Sequence, residues 1–391
     1  MTRGEPKTLA PAANGTRAVP VPAVLSTRRG SLPLPVFVPD ATRAAIRSVP
    51  TSLLPASGVE AVLVSTAHLA TQPGTSVVST LGGIHSFMGW RGPVISDSGG
   101  FQVFSLLSSG QGLASVSDAG LSYRFSPRQR HRQLTPGGCI ETQLRLGADI
   151  IYCLDYCTHP SAPAAEQDRS VTLTLRWAAE CRSAFDALTA DVPPAERPLL
   201  FAVIQGGADA DRRARCARAL ADIGFDGYGF GGYPVVGGKL VDEVSQVAEL
   251  APPGSILHGL GIGTPDSLVS AWQAGYGMFD CTLPTRNGRR GVIYTELDAG
   301  SIGSPGFYRV ARMGDERWVR RRAPVDPDCD CPMCRLPAGY IAHLFRLEES
   351  LAGTLATLHN LRFYTRLTDA LRASARSGTR PGEAGTAGGP A

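Results

Sequence analysis

The chain has 391 residues, of which 43% are hydrophobic, and a formal net charge of +4. This length and apolar content allow a large core, in two or three domains or in one barrel with insertions. No run of about 18 apolar residues occurs, and the N-terminus lacks the apolar core of a secretory signal, so we expect a cytoplasmic protein without a membrane span. The nine cysteines indicate reduced thiols and a metal site rather than a disulfide scaffold.

The two ends of the chain differ in composition from the rest. Residues 1–30 are rich in Ala, Pro, Thr and Arg and show neither helical nor strand periodicity, and residues 372–391 are small and polar. Such segments cannot bury enough apolar surface to fold, so we predict a disordered tail at each end.

Between the tails lie eight short apolar runs, each ending in Gly, Pro or a polar residue. They cover residues 35–39, 59–66, 92–100, 148–155, 199–207, 225–232, 255–263 and 276–284. Helical spacing in segments 170–188, 208–224 and 265–275 separates several of them. Buried strands alternating with helices predict an α/β fold, a TIM-type (β/α) eight-stranded barrel. A doubly wound open sheet is the competing interpretation, but no G-x-G-x-x-G follows the first strand.

Polar residues and glycines stand where these runs end, which is where a barrel of this type forms its active site. They are Asp97, Asp155, Gln205, Gly232, Gly261 and Asp280. A single aspartate at such a turn is more often a helix cap or a salt-bridge partner. Three converging carboxylates suit glycosyl transfer, in which one group attacks the anomeric carbon and another handles the proton of the leaving group.

A second group of residues has metal-ligand spacing. Cys329, Cys331 and Cys334 form a C-x-C-x-x-C cluster, and His359 follows downstream. Three thiolates and one imidazole complete a closed tetrahedral zinc site of the structural type. The alternative is a redox pair formed by Cys331 and Cys334, for which the third cysteine is superfluous.

Basic residues are in excess after the eighth run. Residues 286–335 contain ten arginines and seven acidic residues. This excess is typical of a solvated charged face, but it also fits a surface that follows the phosphates of a nucleic acid.

Several longer motifs are diagnostic of a family. They run from PVFVP near residue 35 to LHNLRFY near residue 364 and include LGGIHSFMGW, SDSGGFQVFSL, FAVIQGG, IGFDGY, MFDCTLPTRNGR and the C-x-C-x-x-C…H set. Together they resemble the tRNA-guanine transglycosylases, also called queuine tRNA-ribosyltransferases. The resemblance implies a catalytic barrel over residues 31–310, then a zinc-binding subdomain and closing helix over residues 311–371, with one structural Zn2+ per chain.

The resemblance also implies a role for each matching residue. Asp280 would be the nucleophile that captures C1′ of the ribose, and Asp97 would give and take the proton of the departing and arriving base. The residues expected to bind the base are Ser98, Phe101, Asp155, Gln205, Gly232, Leu260 and Gly261, with Phe101 and Leu260 on the two faces of its ring. Arg286 and Arg289 match positions that contact the RNA beside the target nucleotide.

The implied partners are the tRNA anticodon loop, guanine and a 7-deazaguanine base, with the protein acting as a homodimer. Two alternatives are a relative that inserts the base into another nucleic acid such as DNA, and a non-catalytic subunit that binds tRNA. The second is expected to lack the nucleophile, and Asp280 is present.

Some positions depart from the family pattern. Tyr156 stands where a glutamate is usual, and Ser65 and Ala67 replace an asparagine and a tyrosine. Residues 233–237 are uncharged where many bacterial members carry the acid that favours an aminomethyl-bearing base. We therefore expect a weakened preference for that base, with a neutral cyano-substituted or queuine-like base accepted at least as well.

Overall fold

The structure, a computed structural model, describes residues 21–377. Eight parallel strands form one sheet at its centre, and each lies inside one of the eight predicted runs. The strands are β1 Val36–Pro39, β2 Val62–Val64, β3 Val94–Ser96, β4 Ile150–Tyr152, β5 Leu199–Ile204, β6 Gly227–Phe230, β7 Ile256–Gly259 and β8 Met278–Cys281.

The order of the strands closes the sheet into a cylinder. Neighbours run β1-β8-β7-β6-β5-β4-β3-β2, and a parallel bridge between Asp40 and Leu63 connects the two ends of that series. The predicted eight-stranded barrel is therefore confirmed. Because all strands are parallel, their carboxyl ends open at one mouth, and the polar residues that follow them meet there.

Helices alternate with the strands and cover the outside of the barrel. Within residues 21–377 the α-helices are α1 Thr66–Thr71, α2 Thr75–Thr80, α3 Gly83–Met88, α4 Gly100–Ser108, α5 Pro136–Leu146, α6 Ala164–Leu188, α7 Ala210–Ile223, α8 Glu243–Leu250, α9 Pro265–Ala274, α10 Leu283–Arg289, α11 Ala338–Arg346 and α12 Ser350–Ser377. The three segments with helical spacing lie in α6, α7 and α9, which confirms those predictions. No helix of the described chain is both long enough and apolar enough to cross a membrane.

Two apolar layers hold the barrel together. One lies between strands and helices and includes Trp177 and Phe279, and the other fills the interior with side chains such as Phe201 and Met278. Space inside is tight, because a Cβ on Gly227 of β6 would lie 2.4 Å from the ring of Phe201. The interior is therefore a packed core, and chemistry is confined to the mouth.

The amino end of the barrel is covered by an antiparallel hairpin of strands Val24–Thr27 and Gly30–Pro33. Its residues Leu25 and Leu32 are buried in the interior core. The predicted disordered segment 1–30 is therefore wrong for residues 24–30, because burial of these leucines offsets the cost of ordering the turn. The first 20 residues lie outside the described part of the chain.

The other predicted tail also begins later than expected. Helix α12 continues to Ser377, and the buried Arg372 pairs with Glu60 and donates to the carbonyls of Pro33 and Pro35. These contacts hold residues 372–377 in the helix. Residues 378–391 of that predicted tail lie outside the described residues.

A small second core lies beside β8. Strands Val292–Thr295 and Arg309–Arg312 form an antiparallel ribbon, and Ile293, Met333 and Ile341 pack together with the three cysteines of the predicted metal site. This unit begins at the ribbon, earlier than the expected boundary at residue 311. Helix α12 joins it to the barrel, since its residue Leu355 belongs to the second core and its residue Leu367 to the barrel core.

Candidate active site

Asp280 lies in β8 at the mouth, with its carboxylate half-buried. The backbone N–H of Gly261 donates to Oδ1 of Asp280 over 3.1 Å. Gly261 has a φ of +76°, a left-handed conformation that glycine adopts without strain and that aims this N–H at the carboxylate. The Oδ2 atom of Asp280 forms no hydrogen bond with the residues that the structure describes. One oxygen is therefore held and the other is free.

A buried histidine lies behind the same oxygen. His258 in β7 is fully buried, and its Nε2 is 3.1 Å from Oδ1 of Asp280. Its Nδ1 is 2.6 Å from the hydroxyl of Tyr152, and Nε2 forms no well-aligned hydrogen bond. Burial, and then the charge of Asp280, raise the pKa of Tyr152 well above its usual range, so the hydroxyl stays protonated and can donate to Nδ1. That tautomer places a proton on Nε2, facing Asp280.

Asp97 follows β3 and receives three hydrogen bonds. The N–H groups of Thr66 and Gly99 donate to Oδ1 at 2.9 and 3.1 Å, and the Gln102 amide donates to Oδ2 at 2.7 Å. None of these donors is charged. Burial raises the pKa of Asp97 to about 7 and outweighs the hydrogen bonds that lower it. A carboxyl group with this pKa can both give and accept a proton near neutral pH.

Three of the predicted base-binding residues contact one another. The Gln205 amide donates to Oδ2 of Asp155 over 2.8 Å, and the Ser98 hydroxyl donates to Oδ1 over 3.2 Å. All three are buried, and burial raises the pKa of Asp155. The SDSGG motif needs its last glycine here, because a Cβ on Gly100 would lie 2.9 Å from the carbonyl oxygen of Asp155. This group presents carboxylate, amide and hydroxyl atoms to a polar ligand.

Aromatic and apolar side chains lie beside this polar group. Phe101 is 51% exposed, and its ring centroid is 6.0 Å from that of Tyr233. Tyr233 comes directly after Gly232, which has a φ of +100°, and it also contacts Phe104. Leu260 packs on Gly229 of β6, where a Cβ would lie 2.8 Å from its side chain. The free face of Phe101 is available for stacking on a flat ligand.

The predicted RNA-binding arginines lie directly after β8. Arg286 and Arg289 are in α10, and Arg286 is exposed. Burial, and then the positive charges of Arg47, Arg286 and Arg290, lower the pKa of Arg289. Several guanidinium groups are therefore crowded around Arg289 in the helix that follows β8, an arrangement that favours an anionic ligand.

The sequence of the chain has relatives among known proteins. The family model for queuine tRNA-ribosyltransferase matches residues 22–382 of the chain. The chain belongs to this family. It is 37% identical over 360 residues to the queuine tRNA-ribosyltransferase of Desulfosudis oleivorans, covering 90% of this chain and 88% of that protein. The enzymes of that name from Gluconacetobacter diazotrophicus and Novosphingobium aromaticivorans are 37% identical over 358 residues and 36% identical over 353 residues. The alignment with the Gluconacetobacter enzyme covers 91% of this chain and 87% of that protein. The alignment with the Novosphingobium enzyme covers 90% of each.

Membership confirms the resemblance drawn from the motifs and makes the chain an enzyme of the pentosyltransferase class. One departure from the family pattern has a local explanation. Tyr156 is buried, and its hydroxyl donates to Glu166 of α6 over 2.5 Å. A carboxylate is thus present near this position, supplied by a different element.

The four predicted metal ligands lie together in the second core. The ligand atoms of Cys329, Cys331, Cys334 and His359 are all buried and within 4.8 Å of one another. Nδ1 of His359 is 3.3 and 3.2 Å from the sulfurs of Cys331 and Cys334, and its Nε2–H donates to the carbonyl of Tyr294 over 2.7 Å. That hydrogen bond fixes the tautomer whose Nδ1 can bind a metal. The group could therefore hold one ion, and its donors are compatible with zinc.

Sequence reasoning missed two groups at the mouth. Asp40 directly follows β1. Burial is the main cause of the raised pKa of both Asp40 and Asp97; the charge of Asp280 also raises that of Asp40, and the charge of Asp40 that of Asp97, so Asp40 lies near both. It follows a strand in the V-P-D motif, and reading the end of the first run as the others were read would have found it. His258 gives no such signal, because an isolated histidine inside an apolar strand also fits an ordinary core residue.

Proposed function

We propose that this enzyme acts in the cytoplasm and replaces guanine at the anticodon wobble position of tRNA with a 7-deazaguanine base, through a covalent ribosyl intermediate on Asp280. The observation that carries the proposal is the carboxylate of Asp280. Its Oδ1 is held by the N–H of Gly261, while Oδ2 is free of hydrogen bonds among the described residues. A carboxylate oxygen that is oriented and unshared is what attack on C1′ of a ribose requires.

In the first step Oδ2 of Asp280 forms a bond to C1′ as the bond from C1′ to N9 of guanine breaks. The electron pair of that bond goes to the base, and the protonated form of Asp97 supplies a proton to it. Since the pKa of Asp97 is raised to about 7, this form is well populated at neutral pH. Guanine then leaves, and the ribose stays attached to the enzyme.

The second step reverses the first with a different base. The carboxylate of Asp97 takes the N9 proton of the incoming deazaguanine, the nitrogen attacks C1′, and Asp280 is released. Each displacement inverts the configuration at C1′, so the two together retain it. The N–H of Gly261 serves both steps, because it orients the carboxylate of Asp280 before attack and stabilises it as a leaving group.

The Asp155 group explains how the base would be recognised. Asp155 can accept from ring and amino N–H groups of guanine, and the amide of Gln205 and the backbone at Gly232 offer further polar contacts. Adenine would leave several of these buried groups unpaired, at a cost of about 1–3 kcal/mol for each. Phe101 and Leu260 would contact the two faces of the ring and partly replace the stacking lost when the nucleotide leaves the RNA.

A buried cation near Gly232 bears on which base enters. Arg213 is buried, donates to the carbonyls of Ile204, Gly207 and Gly231, and stacks on Phe230 at 4.4 Å. A positive charge fixed behind the glycine turn disfavours a second cation there. Together with the uncharged residues 233–237, this supports a neutral cyano-substituted or queuine-like base over an aminomethyl base.

The metal site has a structural role in this proposal. Three thiolates and one imidazole would hold one Zn2+ per chain with no position open for substrate, which is the pattern of a structural site. The ion would tie α12 to the segment that carries the cysteines. We also propose that the enzyme works as a homodimer, which light scattering of the purified protein would test.

The central test is incubation with labelled guanine and separate pools of tRNA and DNA. We expect label in tRNA, and a denaturation-resistant adduct with an anticodon stem-loop when a base analogue stalls turnover. Label in DNA alone would overturn tRNA as the substrate. Exchange at a comparable rate by Asp280→Asn would remove Asp280 from its role.

A further inference from the structure

A second basic region lies in the connection between β3 and β4, and β3 is separated from β8 by β1 and β2 in the barrel. Residues 124–132, here called the basic arm, contain Arg124, Arg128, Arg130, His131 and Arg132, and no acidic residue occurs between positions 119 and 140. The arm connects strands Gly120–Tyr123 and Arg132–Leu134, which belong to a three-stranded sheet inserted between α4 and α5.

The cations of the arm are available to a ligand. Arg128, Arg130 and Arg132 are exposed, and none of them forms an ion pair with a described residue. Arginines on the outer helices differ, since Arg145, Arg176 and Arg215 all pair with acidic side chains. The arm also borders a cavity of about 330 Å³ lined by Thr71, Gln129, Arg130, His131 and Arg132. Three basic side chains around one hollow favour an anion with several oxygen acceptors.

The base of the arm is fixed to the mouth of the barrel. The Tyr123 hydroxyl donates to the carbonyl of Ala67 over 3.3 Å, and Phe125 stacks on His68 with ring centroids 4.5 Å apart. These contacts are on α1, whose first residue Thr66 donates its N–H to Asp97. The arm is thus attached to the element that also holds the proposed acid and base.

Arginines continue from the arm to α10. Burial, and then the positive charge of Arg43, lower the pKa of His68, so Arg43 lies near the base of the arm. Arg47 is near enough to Arg289 to lower its pKa. Both residues follow β1, which lies between β8 and β2 in the barrel. Positive side chains therefore border the mouth from α10, past β1, to the basic arm.

We propose that the basic arm binds phosphates of the substrate RNA, on the side of the target nucleotide away from Arg286 and Arg289. This inference rests on the proposed function, and it adds a contact surface and a path for the strand across the mouth. Arginine guanidinium groups bind phosphate oxygens in pairs of hydrogen bonds, and such contacts fix the register of a nucleic acid without reading its sequence. The arm would thus position the RNA while Asp155 and its neighbours select the base.

The test is a triple substitution, Arg128→Gln, Arg130→Gln and Arg132→Gln, assayed by guanine exchange into tRNA. We expect KM for tRNA to rise about tenfold or more and kcat to change less than about twofold, because the arm does not touch the reacting atoms. With fewer phosphate contacts, fewer counterions are released when the RNA binds. The slope of log kcat/KM against log salt concentration should therefore become less negative by about 2.

The matched control removes three paired arginines from outer helices, with Arg145→Gln, Arg176→Gln and Arg215→Gln. It changes the net charge equally and should leave KM and the salt slope near the wild-type values. A triple lysine variant of the arm should keep the slope, since it keeps the charges. If the wild type exchanges guanine while the glutamine triple behaves like the control, the arm is not a phosphate site. If the wild type transfers no label to tRNA, the proposed function itself is wrong.

Discussion

The two ends of the barrel each hold buried carboxylates, but they treat them differently. At the amino end Asp149 is fully buried and accepts from Arg28 at 2.9 Å, from His85 at 2.9 Å and from the N–H of Val94 at 2.8 Å. At the mouth, the groups that donate hydrogen bonds to Asp97 are all uncharged. Burial would raise the pKa of Asp149, but its hydrogen-bond partners outweigh burial and hold it below the usual value, whereas the pKa of Asp97 is raised to about 7.

This difference separates a carboxylate that stabilises the fold from one kept ready for chemistry. A lowered pKa means that Asp149 contributes stability at neutral pH, and this contribution is lost as the pH falls through its folded-state pKa, below 3.8. A carboxyl group with a raised pKa has the opposite effect on stability. Asp97 opposes folding increasingly as the pH rises from 3.8 towards 7, because the folded state holds its proton more tightly than the unfolded chain.

Substituting the nucleophile should give the largest effect on activity. We expect Asp280→Asn to lower kcat by about 10⁴-fold or more, because the amide keeps the shape but lacks the nucleophilic oxygen anion. Thermal unfolding and tRNA binding should stay close to wild type. Single-turnover exchange with labelled guanine measures the loss, and a large decrease in Tm would instead place Asp280 with the carboxylates that stabilise the fold.

Asp97→Asn should lower kcat by about 10²- to 10⁴-fold, the usual contribution of a positioned acid and base. The free energy of unfolding of this variant should increase, whereas the loss of a structural carboxylate would decrease it. At pH 8 we expect the variant to be more stable by about 1–3 kcal/mol, since it no longer buries a charge, and this gain should shrink towards pH 4. Urea unfolding at the two pH values measures it, and equal loss of stability at both would contradict the comparison.

Removing one metal ligand should affect the second core first. We expect purified protein to hold one zinc ion per chain, and Cys331→Ala to release it and destabilise residues 311–365 by several kcal/mol, because the small unit cannot close without the metal. Elemental analysis and hydrogen exchange measure the two effects. Cys216→Ala, a buried cysteine of α7 outside the cluster, is the control and should keep the zinc. Active wild-type enzyme without metal would refute the prediction.

Asp149→Asn is the counterpart of the substitutions at the mouth. It leaves Arg28 and His85 without their charged partner, so we expect a loss of about 3 kcal/mol in unfolding free energy at pH 7. The loss should shrink only as the pH falls below 3.8 towards the lowered folded-state pKa of Asp149, where the wild-type carboxyl group itself becomes protonated. Activity per folded molecule should be unchanged. A selective fall in kcat with normal stability would show that the amino end takes part in catalysis.

The smallest effect concerns base selection. We expect kcat/KM for a neutral cyano-substituted base to be at least equal to that for an aminomethyl base, because Arg213 supplies a positive charge near Gly232. Competition between the bases at fixed tRNA measures the ratio. A preference of more than about a hundredfold for the aminomethyl base, equivalent to about 2.7 kcal/mol, would show that an acidic group such as Asp242 or Glu243 reaches the pocket.

The barrel was predictable because its signal is local. Every buried strand is an apolar run, and each run ends in the residue that the strand delivers to the mouth, so the positions of Asp97, Asp155, Gln205 and Asp280 followed from counting strands. The cysteine spacing predicted the metal group for the same reason. Their catalytic and binding roles stay predictions until the variants above are measured.

The features that were missed depend on contacts between distant segments. Residues 24–30 form an ordered hairpin because Leu25 packs inside the barrel and Arg28 pairs with Asp149, which is 121 positions away. The position of His258 beside Asp280 depends on the register of β7 against β8. Composition and periodicity carry no information about such pairs, so the hairpin was predicted as a disordered tail and the histidine was not identified.

Helix α12 has a consequence for the order in which the protein is assembled. It is 28 residues long, about 42 Å, and it carries His359 in its first half and Arg372 near its end. During synthesis the barrel strands and all three cysteines leave the ribosome before either residue. His359, the fourth metal ligand, and Arg372, which contacts Pro33 at the end of the amino-terminal hairpin, are therefore synthesised after all of these elements. A nascent chain stalled before residue 359 would have a complete set of catalytic aspartates but an open metal site, and metal content would distinguish finished molecules from unfinished ones.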